Sequence, residues 1–248
     1  MRCGPTRTAP YPTFATHPEA REIVFDFLSD YDDPSLLGAF WVTVQLTFLS
    51  AVGSLIWGTL LAAMRVSPVP LMRGFGAAYV NIVRNIPLTV IIVFTSLGLA
   101  DIFGVALGAP DDFEVKYFRL AVLGLVAYTA AFVCEAIRSG INTVPVGQAE
   151  AARAIGLSFS QVLRLIVLPQ AFRSVIGPLA NVLIALTKNT TVAATIGVAE
   201  AALLMKEMIE NEAQVLLIGA IFAFGFIVLT LPTGLFLGWL SKRLAVKR

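Results

Sequence analysis

Leu36 to Met64 reads LLGAFWVTVQLTFLSAVGSLIWGTLLAAM and contains no charged residue. A helix rises about 1.5 Å per residue, so roughly 20 apolar residues cross the hydrocarbon of a bilayer. This run is long enough to cross with tilt. Ala213 to Ser241 is a second charge-free run. Three further apolar runs each carry one charge: Arg84 in Gly74–Ala100, Glu135 in Leu120–Ile137 and Lys188 in Ser174–Ala199. The pattern predicts five transmembrane helices at about 36–64, 74–100, 120–138, 174–199 and 213–241. Pro87, Pro178 and Pro232 are expected to kink or break them.

Composition supports an all-α integral membrane protein. The 248 residues are 57% hydrophobic and 14% charged, against about 25% charged in a typical soluble domain. Mean hydropathy is +0.82. The single histidine, His17, lies in the N-terminal tail, which removes histidine-based metal or acid–base chemistry from the membrane region. No metal site and no nucleic-acid partner are expected; membrane lipid is. No G-x-x-x-x-G-K-[ST] phosphate loop occurs, so any ATP must be bound by another polypeptide. Cys3 and Cys134 sit in different settings, and no disulfide is expected.

Charge sets the topology. Arg65 and Arg73 follow the first span, with Arg84 close behind. Arg138, Arg153, Arg164 and Arg173 lie between the third and fourth, and Lys242, Arg243, Lys247 and Arg248 end the chain. These are most of the 18 basic residues. The opposite side holds Asp101, Asp111, Asp112 and Glu114 in one loop and Glu207, Glu210 and Glu212 in another. Positive-inside bias places the basic side in the cytoplasm. The expectation is a multi-pass protein of the cytoplasmic (inner) membrane, with the N-terminus outside and the C-terminus inside. Residues 1–35 read as an extracytoplasmic tail rather than a signal peptide. That tail has candidate turns at Pro10–Pro12 and Asp32–Pro34. Its Phe25, Phe27 and Leu28 suit either a short amphipathic helix or a disordered segment.

The loop at 139–173 is the most informative basic segment. Pro145 and Gly147 end the preceding element. Gln148 to Ile155 is alanine-rich and helix-forming, and Gly156 suits a helix C-cap. Ser158 is a candidate N-cap with Gln161 completing a capping box, and Pro169 is read as ending that second helix. Small side chains at Ala149, Ala151, Ala152 and Ala154 permit close approach by another backbone. Glu150 and Arg153 are positioned to pair with each other or to reach a partner. The segment suits either docking on a soluble subunit or lying on the membrane.

The pattern Glu150-Ala151-Ala152, Gly156, Ile166 and Leu168-Pro169 resembles the EAA loop of ABC-importer permeases. Arg84-Asn85-Ile86-Pro87-Leu88 is similar to the Arg-Gly-Thr-Pro-Leu element of polar amino-acid permeases, departing at Asn85 and Ile86. Tyr128 to Ile141 and Leu186 to Glu200 are similar to the third- and fourth-span signatures of the same group. Thr187-Lys188-Asn189-Thr190-Thr191, Leu203-Leu204-Met205-Lys206 and the ending Arg243 to Lys247 look most like actinobacterial glutamate-uptake permeases. The resemblance covers 36–248. It implies a type I ABC-importer permease, with a cytoplasmic coupling-helix loop between spans 3 and 4. The implied function is the permease subunit of an importer for a polar amino acid, with glutamate foremost. The implied partners are an ABC ATPase dimer that holds Mg-ATP, a second permease copy or homologue, and an extracytoplasmic amino-acid-binding protein. Gln148, Glu150, Ala151, Ala152, Gly156, Leu168 and Pro169 would contact or shape the coupling to the ATPase. This chain itself would be no enzyme and would carry no cofactor.

A charge at the bilayer centre costs at least ~2.5–3.5 kcal/mol, so such residues face the bundle interior, pair or snorkel. Arg84 either snorkels or meets Glu135. Glu135 either pairs with Arg138 one turn on or lines the pathway. Lys188, followed by Asn189, Thr190 and Thr191, either meets an anionic substrate or pairs within the chain, with Glu200 as partner. Arg84, Glu135, Lys188, Asn189, Thr190 and Glu200 are the candidate pathway residues. The alternative function is an ion-coupled secondary amino-acid transporter. Those commonly show two repeated halves with paired broken helices, and no such duplication is visible here. A membrane-embedded enzyme is disfavoured by the lone tail histidine and the lack of clustered acids at membrane depth.

Overall fold

The computed structural model describes residues 35–105, 107 and 112–244. The tail with its candidate turns and amphipathic helix lies outside the described residues, as do the last four residues. Among the described residues the protein is helical and has no strand.

Helix α1 (Leu36–Val66) starts where the Ser35 hydroxyl accepts from the Gly38 N–H at 3.1 Å, relieving one of the unpaired donors of a first turn. α2 (Pro70–Asn85) begins with proline at its start, where the missing N–H costs nothing. Ile86 is then extended at φ −96°, ψ 133°, as the residue before a proline prefers. α3 (Leu88–Val93) follows and widens into a π-helix over Phe94–Ile102. α2 and the α3 segment meet at 106°. The second apolar run is therefore a sharply broken pair rather than one rod.

α4 (Phe113–Asn142) is capped by the Asp112 carboxylate, which accepts from the Val115 N–H at 3.1 Å. α5 (Val146–Ala154) and α6 (Phe159–Val162) form the loop. A π turn at Leu163–Val167 leads into α7 (Leu168–Asn189), and a 3-10 segment follows at Thr190–Ile196. Pro169 does not end the second loop helix as expected: the helical path runs on from Phe159 to Ile196. The π turn places the Leu168 N–H on the Leu163 carbonyl, and this wider turn absorbs the mismatch that a proline ring creates in a regular helix. The segment read as an acidic outer loop is a helix, α8 (Ala201–Glu212). α9 (Val215–Leu244) carries Pro232 within it, and α7 likewise carries Pro178.

Four helical segments are long and apolar enough to cross a membrane, and the bent pair makes a fifth. α4 is central, with 56% of its apolar window buried against 11% for α9. One core joins Leu46 of α1, Leu88 and Ile92 of α3, Leu125 of α4 and Leu186 of α7. A second packs Val80 of α2 against Leu61 and Ala62 of α1 and Ala130 and Cys134 of α4. α4 and α7 touch closely at Gly140, where an added Cβ would lie 3.0 Å from the Ala171 carbonyl and collide with Val175. Small residues serve this purpose where helices meet in lipid.

Candidate functional site: a polar cavity, an arginine cluster and a capped loop

α7 carries a polar stripe at helical spacing: Gln170, Ser174, Gly177, Asn181, Ala185 and Lys188. Residues three and four apart share a helix face. The opposite face, with Ala171, Val175, Ile176, Ala180 and Leu186, is buried. Two cavities open along the stripe. One of about 700 Å³ lies at the loop end, lined by Thr143, Gln148, Gln170, Arg173, Ser174 and Ser241 among others. The other, about 380 Å³, lies between α4 and α7 and is lined by Tyr128, Thr129, Phe132, Asn181, Val182, Ala185 and Asn189. Tyr128 and Phe132 form one aromatic wall, their ring centroids 4.9 Å apart. Thr129 is buried, and its hydroxyl forms no hydrogen bond among the described residues. An unpaired buried hydroxyl costs about 1–3 kcal/mol, so this cavity has a polar group in want of a partner.

Below Phe132, one turn further along α4, is Glu135. Arg65 at the end of α1 pairs with its Oε1, and Arg84 of α2 and Arg138 of α4 each stand 3.9 Å from its Oε2. Arg84 also lies 5.6 Å from the Phe132 ring centroid, within cation–π range. Of the alternatives open for Glu135, the structure realises both pairings at once. Arg65, counted in the sequence only as a topology marker, is the residue most fully engaged.

The candidate pathway residues do not all gather here. Arg84 and Glu135 belong to the cluster, and Asn189 lines the cavity. Lys188 is exposed on the helix surface beside Asn189 and forms no ion pair among the described residues. Thr190 is buried, with its hydroxyl donating to the Thr187 carbonyl at 2.8 Å. Glu200 is fully buried elsewhere, at the start of α8. Its Oε1 accepts from the Ala202 and Leu203 N–H groups, and Thr43 of α1 donates to its Oε2 at 3.4 Å. Thr43 also accepts from the Ala201 N–H at 3.2 Å. Glu200 is thus committed to fastening α8 onto α1, and Lys188 does not reach it. Tyr128, Thr129, Phe132 and Asn181 of the cavity wall are not among the pathway residues expected from the sequence. The first three lie within the signature-like stretch Tyr128–Ile141, and Asn181 leaves a signal as a polar residue on the Lys188 face of an apolar run.

The loop is built as two capped helices. Gly156 has φ +91°, a backbone that glycine adopts readily and side-chain-bearing residues avoid. The Leu157 N–H donates to the Ala152 carbonyl at 3.2 Å and the Gly156 N–H to the Arg153 carbonyl at 2.9 Å. This pair of bonds is the Schellman closure of α5. Ser158 and Gln161 then form the full capping box of α6. Ala152 is buried, whereas Glu150, Ala151 and Arg153 are exposed. Glu150 and Arg153 form no ion pair with each other among the described residues. Gln148 is tied to Gln170, and Leu168 is exposed beside it. No cluster of three or more metal-binding side chains occurs among the described residues.

Helices long and apolar enough to cross a membrane, a cavity with polar groups part-way along α4 and a capped helical loop at one end together fit a membrane permease. The chain belongs to the family of inner-membrane components of binding-protein-dependent transport systems, which matches residues 54–246. It is 58% identical over 219 residues to the glutamate transport system permease protein GluC of Corynebacterium efficiens, covering 87% of this chain and 96% of that one. It is 34% identical over 225 residues to the probable glutamine ABC transporter permease protein GlnM of Bacillus subtilis, covering 90% and 96%. The fold matches that of a chain in the crystal structure of an amino acid ABC transporter with histidines. The TM-score is 0.77 at 24% identity, covering 92% of this chain and all of that one. The fold is that of the type I ABC-importer permeases, and this chain is a permease subunit, not itself a catalyst.

Proposed function

We propose that this chain is one permease of an ATP-driven importer that carries an acidic amino acid, glutamate foremost, into the cytoplasm. The observation that carries the substrate is the 58% identity to a glutamate transport permease over 96% of that protein's length. The cavity between α4 and α7 supports a small polar solute. Asn181, Asn189 and Thr129 offer neutral hydrogen-bonding groups against an aromatic wall, and the exposed Lys188 precedes Asn189 in the chain.

The N-terminus lies outside and the C-terminus in the cytoplasm, in keeping with the basic loop end. Two permeases, this chain twice or with a homologue, sit over an ATPase dimer that binds Mg-ATP. An extracytoplasmic binding protein delivers the substrate. α5 docks on the ATPase through Glu150, Ala151 and neighbouring residues. Its movement reaches α7 through the Gln148–Gln170 bond and the continuous helical path beyond it, and α7 carries Asn181 and Asn189 in the cavity wall.

The test is reconstitution of the co-purified complex with its binding protein. Radiolabelled glutamate should enter only with Mg-ATP on the α5 side. Uptake that persists without ATP under an imposed ion gradient would assign the protein to ion-coupled secondary transport and overturn the proposal.

A further inference from the structure

Glu135 is outnumbered. Three guanidiniums surround one carboxylate, and arginine keeps its proton in proteins, so the cluster holds a net charge of about +2. The three are not equivalent. Arg65 is 11% exposed and bonded to Oε1, whereas Arg84 and Arg138 are 45% and 44% exposed and stand 3.9 Å from Oε2. That separation exceeds a good N–H···O bond of about 2.7–3.2 Å, so the forks of Arg84 and Arg138 keep donors for another acceptor. Their place in the fold matters equally. Arg84 lies against Phe132, which lines the cavity between α4 and α7, and Glu135 and Arg138 follow Phe132 on α4. The spare positive charge therefore stands next to Phe132, one wall of a cavity whose own lining is neutral.

We infer that Arg84 and Arg138 form a carboxylate-binding site on the loop side of Phe132, which takes the side-chain carboxylate of an acidic amino acid leaving the cavity. The inference rests on the acidic-substrate reading above. A guanidinium and a carboxylate match as two parallel N–H···O bonds, a fit that a neutral amide cannot reproduce. Glu135 competes for the same two forks. It limits how tightly the passing carboxylate is held, and it keeps the arginines compensated when no substrate is there. Arg65, already bonded, holds Glu135 in place and fastens α1 to α4. Specificity for an acid would thus be set at two stations, Lys188 next to Asn189 of the cavity wall and the arginine pair beyond Phe132.

The test uses the assembled wild-type complex in vesicles of neutral lipid. Phenylglyoxal modifies accessible arginines, and peptide mass mapping reads each position. Glutamate should slow modification of Arg84 and Arg138 severalfold, whereas glutamine at the same concentration should not, and Arg153 on α5 should be indifferent to both. In a binding assay on the complex, the Arg84→Gln, Arg138→Gln double variant should hold glutamate at least about tenfold more weakly than wild type, the loss expected for one charge-assisted pair. Arg84→Lys should recover part of this, as charge without the fork. The footprint needs no variant, so poor assembly of the double variant leaves the proposal open to refutation. Equal protection by glutamate and glutamine overturns it, as does no protection by either. Protection that appears only on adding phosphatidylglycerol assigns the forks to lipid phosphate and also overturns it. Glutamate import by the same vesicles separates the two readings. Import without protection sinks this site alone, and absence of import sinks the acidic-substrate reading with it.

Discussion

Gln148 on α5 and Gln170 on α7 are joined side chain to side chain at 2.6 Å, Nε2 of Gln170 donating to Oε1 of Gln148. Gln170 Nε2 donates as well to the Ile166 carbonyl, at 3.0 Å. The loop helix is therefore fixed to the helix whose other end reaches the cavity, across the break at Gly156. A push on α5 meets a braced element rather than a loose loop.

That bracing depends on the backbone at Gly156. Gly156→Val puts a β-branched residue at φ +91°, at a cost of order 1–3 kcal/mol. Insertion in the membrane should be normal, because no packing is lost there: an added Cβ meets nothing within 4 Å. ATPase association, or its stimulation by substrate-loaded binding protein, should be lost. Pull-down and ATP turnover measure both, and a variant that couples like wild type refutes docking through α5.

Lys188 gives a sharper test of the pathway. Lys188→Met keeps similar bulk without charge. If the ammonium meets the substrate, the complex should assemble at normal level while uptake of glutamate falls steeply and that of glutamine falls less. Equal losses for acid and amide, normalised to complex in the membrane, would assign Lys188 a structural role.

Glu200 gives a pH dependence. It lies outside the membrane crossings, and burial is the main cause that raises its carboxyl from 4.5 to about 7, against the opposing hydrogen bonds from Ala202, Leu203 and Thr43. The folded state binds the extra proton, so the stabilising contribution is present below about pH 4.5, declines as pH rises and is gone above about pH 7. Thermal unfolding of the purified complex should show stability falling across that window. Glu200→Gln, whose amide oxygen can still accept from Ala202 and Leu203, should flatten the profile. An unchanged slope would show that Glu200 does not titrate there.

Topology is open to reporters. A fusion after Arg248 should read cytoplasmic and one beside Asp111 external, from the concentration of arginine and lysine at the loop end. The reverse pair of signals would invert every orientation given above.

Much of this was legible in the chain. Charge-free runs mark α1 and α9, and Gly156, Ser158 and Gln161 announce their caps because capping is local chemistry. Pro87 predicts a break through the restriction on Ile86, but not its 106° angle, which tertiary packing decides. Pro169 reads as a helix end because proline ends a regular helix, whereas the π turn at Leu163–Val167 carries the helix through it. α8 reads as a loop from sequence because its glutamates mask the buried Leu204 and Met208. The Arg65–Glu135 pair joins residues far apart in sequence, and the cavity arises only where Tyr128 and Phe132 of α4 face Asn181 of α7. No periodicity within either segment encodes such meetings.

The shallow burial of α9 has a consequence for the surrounding lipid. Its charge-free length, at about 1.5 Å per residue, exceeds the ~30 Å of a typical hydrocarbon layer, an excess taken up by tilt, by a kink at Pro232 or by local thickening of the bilayer. Only 11% of its apolar window is held by the rest of the chain, with Ile218 and Phe222 as the buried anchors near one end. Phe224, Leu231, Leu235 and Trp239 face outward. Bilayer thickness acts on such a helix before it acts on the tightly packed α4, which makes acyl-chain length a variable to set deliberately when this protein is reconstituted.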